Sequence, residues 1–119
     1  MTPRSAKQKG KNLEKKIAKI ILDIFPEFVY NEDIRVTIGQ EHGCDLKLSK
    51  KALELLPIKI EAKARERLET IYGFYEQAQS HEGKQEAVVV IRSNRKKALA
   101  IIDFEYLIRL FRERNKKNV

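Results

Sequence analysis

A single cysteine, Cys44, in 119 residues excludes an internal disulfide. Charged residues interrupt the chain so often that its longest uncharged stretch, Thr70 to Tyr75, has six residues. A membrane-spanning helix needs about 20 largely apolar ones. Histidine occurs twice, as His42 and His81, and neither has the partner spacing of a zinc site. The basic amino-terminal stretch lacks the apolar middle of a secretory signal. These absences make a reducing cytoplasm and no membrane partner the expectation. What is present suits a folded domain: 42% hydrophobic and 35% charged residues. At this length one domain is expected, burying roughly two-thirds of its unfolded surface.

The formal charge is +8, and it is unevenly spread. Residues 1–20 hold seven Lys or Arg against one acid, and residues 92–119 hold nine against three. The centre, residues 21–91, is acidic, with thirteen acids against nine bases. Two basic flanks would attract a polyanion such as DNA or RNA by counterion release. Acids beside bound phosphate repel it unless a cation stands between. Metal-dependent chemistry reconciles the two, with scattered surface acids as the plainer alternative.

Residues 1–9 are polar, contain Pro3 and have no periodicity, which predicts a flexible basic arm followed by one domain over 10–119. Leu13, Ile17, Ile20, Ile21 and Ile24 have the spacing of one helix face, closed by Pro26. Phe28 to Ile38 reads as a strand or a bent pair broken at residues 31–33. A turn-rich loop, Gly39 to Gly43, leads into a strand in which Cys44, Leu46 and Leu48 alternate with Asp45 and Lys47. Ser49 is placed to cap a short helix through Leu55. A strand is predicted from Pro57 to Lys63, then a helix from Leu68 to His81. Ala87–Ile91 reads as a strand buried on both faces and Ala98–Ile102 as its neighbour, with Asp103 as the cap of a last helix. The order predicts a mixed α/β domain, with a central mixed sheet flanked by helices.

The stretch 57–63 carries the chemistry. Ile58, Ile60 and Ala62 share one face of the expected strand, and Lys59, Glu61 and Lys63 the other. A carboxylate is a hard oxygen ligand for magnesium, and a lysine two residues on stabilises phosphate charge or holds an activated water. Asp45 occupies the polar phase of its own strand, so pairing of the two strands would make the carboxylates converge. Two such charges at about 4 Å repel by roughly 4 kcal/mol at an effective dielectric near 20, which a divalent ion would reverse. Glu-x-Lys occurs three times, from Glu14, Glu61 and Glu82, and only the middle copy lies in an apolar, β-branched segment.

Gly43-Cys44-Asp45 followed by Glu61-Ala62-Lys63, a helix and two more strands resembles the PD-(D/E)XK nuclease superfamily. More narrowly, it is similar to small Holliday-junction-resolvase-like endonucleases of archaea and phages, over roughly Lys9 to Leu110. Cys44 departs from the proline common at that position. The resemblance implies a restriction-endonuclease-like fold in which Asp45, Glu61 and the Ala62 carbonyl bind Mg²⁺ or Mn²⁺ and Lys63 positions the attacking water. It also implies that Glu14 acts from the first helix. Helical phase agrees, since Ile21 lies about 20° and Ile17 about 60° from Glu14 at roughly 100° per residue. The family comparison selects Gln77, whereas phase places Gln79 nearer the centre of the apolar arc; both stay open.

Phosphate contacts are expected from Arg4, Lys7, Lys9 and Lys11 in the arm and from Arg92, Asn94, Arg95, Lys96 and Lys97 between the last two strands. The function implied is a metal-dependent DNA endonuclease selective for branched DNA, acting as a homodimer because junction resolution needs two symmetric cuts. The alternatives are a nicking, repair or restriction-type nuclease on the same core, or a non-catalytic basic nucleic-acid-binding protein. Cys44 is expected to pack inward. His42 and His81 are expected at the surface or as structural residues, and Tyr72, Phe74 and Tyr75 as packing residues.

Overall fold

A computed structural model describes residues 3–39, 45–65 and 67–117, and the side chains of 7–39, 45–65 and 67–116. His42, Gly43 and Cys44 lie outside the described residues. Four helices and two small sheets run in the order α1 (Pro3–Ile24), β1 (Ile34–Val36), β2 (Leu46–Leu48), α2 (Lys50–Leu55), α3 (Glu69–Gln79), β3 (Val88–Ile91), β4 (Leu99–Ile102) and α4 (Phe104–Lys117). The chain is therefore mixed α and β. Each sheet is a two-stranded antiparallel pair, β1 with β2 and β3 with β4, where the sequence predicts one central sheet. No helix among the described residues is long and apolar enough to cross a membrane.

The described residues group into two packing units, one comprising those up to Arg65 and from Ile108 onward, the other those up to Leu107. In the first unit α1 presents Glu14, Ile17, Ala18, Ile21 and Ile24 as a buried stripe, the i, i+3, i+4, i+7 pattern of a core-facing helix. The helix starts at Pro3, so the segment expected to be an arm is helical from that point. Proline suits a first helical turn, where its missing N–H leaves no bond unmade. Pro26 ends the same helix for the opposite reason. Phe25 and Phe28 stack with ring centroids 5.0 Å apart, and the Arg112 guanidinium lies 5.0 Å from the centre of the Phe25 ring. α1 packs on β1 and α2 on β2.

Turn chemistry holds this unit in register. Asn31 adopts a left-handed φ of 71°, which asparagine tolerates better than most residues, and its N–H donates to the Ile34 carbonyl at 2.8 Å. The break expected at residues 31–33 is this turn. Ser49 caps α2 as predicted, accepting from Ala52 N at 3.0 Å while its own hydroxyl donates to Asp33 Oδ1 at 2.8 Å.

The stretch 57–63 is not a strand. One backbone bond, Asp45 N to the Ile60 carbonyl at 3.1 Å, ties it to the segment before β2; a ladder needs a succession of such pairs. In the second unit α3 packs on β3. β3, expected to be buried on both faces, has exposed Val88 and Val90, and Leu99 on its partner β4 is exposed as well. Tyr72 and Phe74, expected as core or helix-packing residues, are exposed and so not part of the core.

Candidate functional site

The residues with candidate chemistry in the first unit meet through a chain of contacts. Glu14 continues the apolar stripe of α1 by one turn, so its carboxylate is carried inward with the isoleucines; its side chain is only 9% exposed. Its Oε2 is buried without a hydrogen bond. The Lys11 ammonium stands 3.1 Å from that oxygen, an ionic contact outside hydrogen-bonding geometry, and donates instead to the Thr37 carbonyl at 2.8 Å. Thr37 N–H in turn donates to the Asp45 carbonyl at 3.0 Å, extending the β1–β2 register by one pair. Glu14 on the first helix and Asp45 before β2, separated by thirty residues of chain, are thus joined by one lysine and one threonine backbone.

Asp45 reaches the stretch 57–63 by two bonds. Its N–H donates to the Ile60 carbonyl at 3.1 Å, and its Oδ2 accepts from Ala62 N at 2.7 Å. The carboxylate is seated on the backbone between Glu61 and Lys63, and a bond this short to an ionised acceptor belongs to the stronger class of hydrogen bond. The stretch 57–63 does not pair as a strand, and what joins it to the Asp45 side chain is the bond from the Ala62 amide to the carboxylate. Glu61 is exposed, with its Oε1 3.4 Å from Lys63 Nζ. An exposed ion pair of this kind contributes at most about 1 kcal/mol, so either partner exchanges readily for another.

The donor atoms suit a hard divalent ion: carboxylate oxygens from Glu14, Asp45 and Glu61 and a backbone carbonyl at Ala62. Oε2 of Glu14 is buried without a hydrogen bond, and the cation it already faces is the Lys11 ammonium. Among the described residues, however, no three His, Cys, Asp or Glu groups stand together so as to hold an ion.

The remaining candidates are placed differently. Gln77 lies in the second unit, on a groove of about 650 Å³ between α3 and β3 shared with Phe74, Ala78 and His81. Gln77 and Gln79 are both exposed, while the half-buried positions of that helix are Tyr75 and Ala78. Lys7 and Lys9 are exposed, and the side chain of Arg4 lies outside the described ones. Lys11, expected at phosphate, is half-buried and engaged with Glu14 and the Thr37 carbonyl. Its i, i+3 spacing from Glu14 is the signal that identifies the pairing. Thr37 carried no such signal, because its part is played by its backbone. Arg92, Asn94, Arg95, Lys96 and Lys97 are all exposed. Arg92 Nε donates to the Lys96 carbonyl at 2.9 Å, and Arg95 has a left-handed φ of 62°, so a tight turn holds these cations at the end of the β3–β4 hairpin.

No protein-family model, no curated protein and no solved structure matches the chain.

Proposed function

We propose that this protein is a metal-dependent DNA endonuclease of the PD-(D/E)XK type, similar to Holliday-junction resolvases and directed at branched DNA. The observation that carries the reading is the seating of the Asp45 carboxylate on Ala62 N–H at 2.7 Å, which puts the acid against the backbone of Glu61-Ala62-Lys63. The buried Glu14 oxygen, tied to the same region through Lys11 and Thr37, adds to it.

In this reading Asp45, Glu61, the Ala62 carbonyl and Glu14 would hold Mg²⁺ or Mn²⁺. The ion supplies a more acidic water and offsets charge on the scissile phosphate. Lys63, freed from Glu61, orients the attacking water and faces the charge that develops on the phosphoryl oxygens. Lys11 faces the Glu14 carboxylate at 3.1 Å. The exposed cations Lys7, Lys9, Arg92 and Arg95 to Lys97 position duplex arms without reading sequence. A homodimer would supply the second cut.

A second reading, a basic nucleic-acid-binding protein without catalysis, is favoured by the exposed Glu61–Lys63 pair and by the missing three-group cluster among the described residues. Incubating the protein with labelled four-way junction, flap, nicked and linear DNA in Mg²⁺ or Mn²⁺ separates the two. Cleavage is expected for the wild type. Asp45→Asn should lower it by more than about 100-fold with binding retained, since even groups that merely support a metal's ligands cost 10–100-fold. A wild type that binds every substrate and cuts none would leave the binding protein as the answer.

A further inference from the structure

The β1–β2 pair places two cations side by side. Its register sets Arg35 directly opposite Lys47, between the Ile34–Leu48 and Val36–Leu46 pairs. Alternation sends those flanking pairs to one face, where Ile34 and Leu46 are buried, and the Arg35–Lys47 pair to the other. Like charges directly opposite one another work against a strand pair. Opposite charges or β-branched neutral residues would have served the ladder better.

The next pair along that register is Thr37 with Asp45, joined by Thr37 N–H to the Asp45 carbonyl at 3.0 Å. Asp45 stands two residues from Lys47, so in extended chain the acid and the cation are about 7 Å apart. That is close to the spacing of successive phosphates along one nucleic-acid strand. Both Arg35 and Lys47 are half-exposed and engaged within the protein, so what they offer a ligand is positive charge in a fixed place.

We infer that Lys47, with Arg35 across the ladder from it, forms a seat for the backbone phosphate next to the one attacked at Asp45. The inference rests on the nuclease reading for the position of the attacked phosphate. The seat itself requires only that DNA crosses this face. A phosphate lying across the pair is drawn by both positive charges and fixes the neighbouring phosphodiester against Asp45. Lys47 is on this account a positioning residue.

The test uses the full chain and four variants, Lys47→Gln, Lys47→Arg, Arg35→Gln and the double Gln variant, titrated with labelled junction DNA without divalent metal at several salt concentrations. Each phosphate left unneutralised should lower the slope of log K against log salt by about 0.9, which is roughly eightfold weaker binding at 0.1 M. The double variant, which empties the seat, should lose that full slope, each single Gln variant should lose part of it, and Lys47→Arg should keep the wild-type value. In Mg²⁺, Lys47→Gln should raise KM with little change in kcat, as expected when ground-state and transition-state binding fall together. A double variant that melts like the wild type and keeps its slope overturns the seat, even if the wild type cuts DNA. A wild type that cuts nothing, with slopes falling as stated, overturns the nuclease reading and leaves the seat in place.

Discussion

Asp33 shows how much one side chain can organise. Its Oδ2 accepts from Val29 N–H at 2.9 Å, its Oδ1 from the Ser49 hydroxyl at 2.8 Å, and its backbone carbonyl from Ser49 N–H at 2.8 Å. The turn before β1 is thereby fastened to the cap of α2. The Val29 amide first and the Ser49 hydroxyl second hold the carboxyl below its ordinary value; burial works the other way, and Lys51 adds a smaller attraction. Glu27 is also held low. Burial there acts upward, and the Arg112 hydrogen bond, its own backbone amide and the charges of Arg112 and Lys51 together outweigh it. A carboxyl whose folded-state pKa is depressed contributes stability that is present above its unfolded value, near 4, and lost as pH falls through the folded value. Urea unfolding should therefore give a constant midpoint from about pH 7 to 5 and a declining one below about pH 4. Asp33→Asn should lower the midpoint at neutral pH and flatten the acid decline. The cap at Ser49 was legible from its place before a short apolar helix, whereas nothing in the spacing of Asp33 and Ser49 announced that they bond.

At the scale of elements, α1 and the β3–β4 hairpin make opposite cases. The apolar period of α1 identifies its buried face, and that face includes Glu14 because the acid falls on the same stripe. Ile21, at its centre, is fully buried, so Ile21→Ala should cost about 2–5 kcal/mol through forfeited transfer energy and the cavity left behind. Chemical denaturation measures this directly, and a cost under about 1 kcal/mol would mean that α1 is loosely docked. A continuous apolar run such as Ala87–Ile91 has no period from which to tell one buried face from two. Its coverage depends on what layers lie against it, which is a property of the packing. The stretch 57–63 fails as a strand for a related reason: alternation makes a segment fit for a ladder, but a strand exists only when a neighbour supplies consecutive bonds.

Over the whole molecule the uneven charge is the feature most open to test. The hairpin turn carries Arg92, Arg95, Lys96 and Lys97, all exposed, and should contribute to polyanion binding whether or not the protein is an enzyme. Lys96→Ala with Lys97→Ala should weaken DNA binding alike across sequences and reduce the salt slope by about 0.9 for each phosphate the turn no longer neutralises. An unchanged slope in a fluorescence titration would remove the turn from the interface. Charge distribution, the amphipathic helices and the caps at Ser49, which accepts from Ala52 N–H, and at Asp103, which accepts from Tyr106 N–H, follow from residue types and their spacing, because each depends on neighbours close in the chain or on a 3.6-residue period. Tertiary structure alone decided that Lys11 reaches the Thr37 carbonyl, that Asp45 closes on the Ala62 amide, and that Arg35 stands opposite Lys47. These pairings join segments many residues apart, and their geometry is set by how helix and strands pack, which no local pattern of residues specifies.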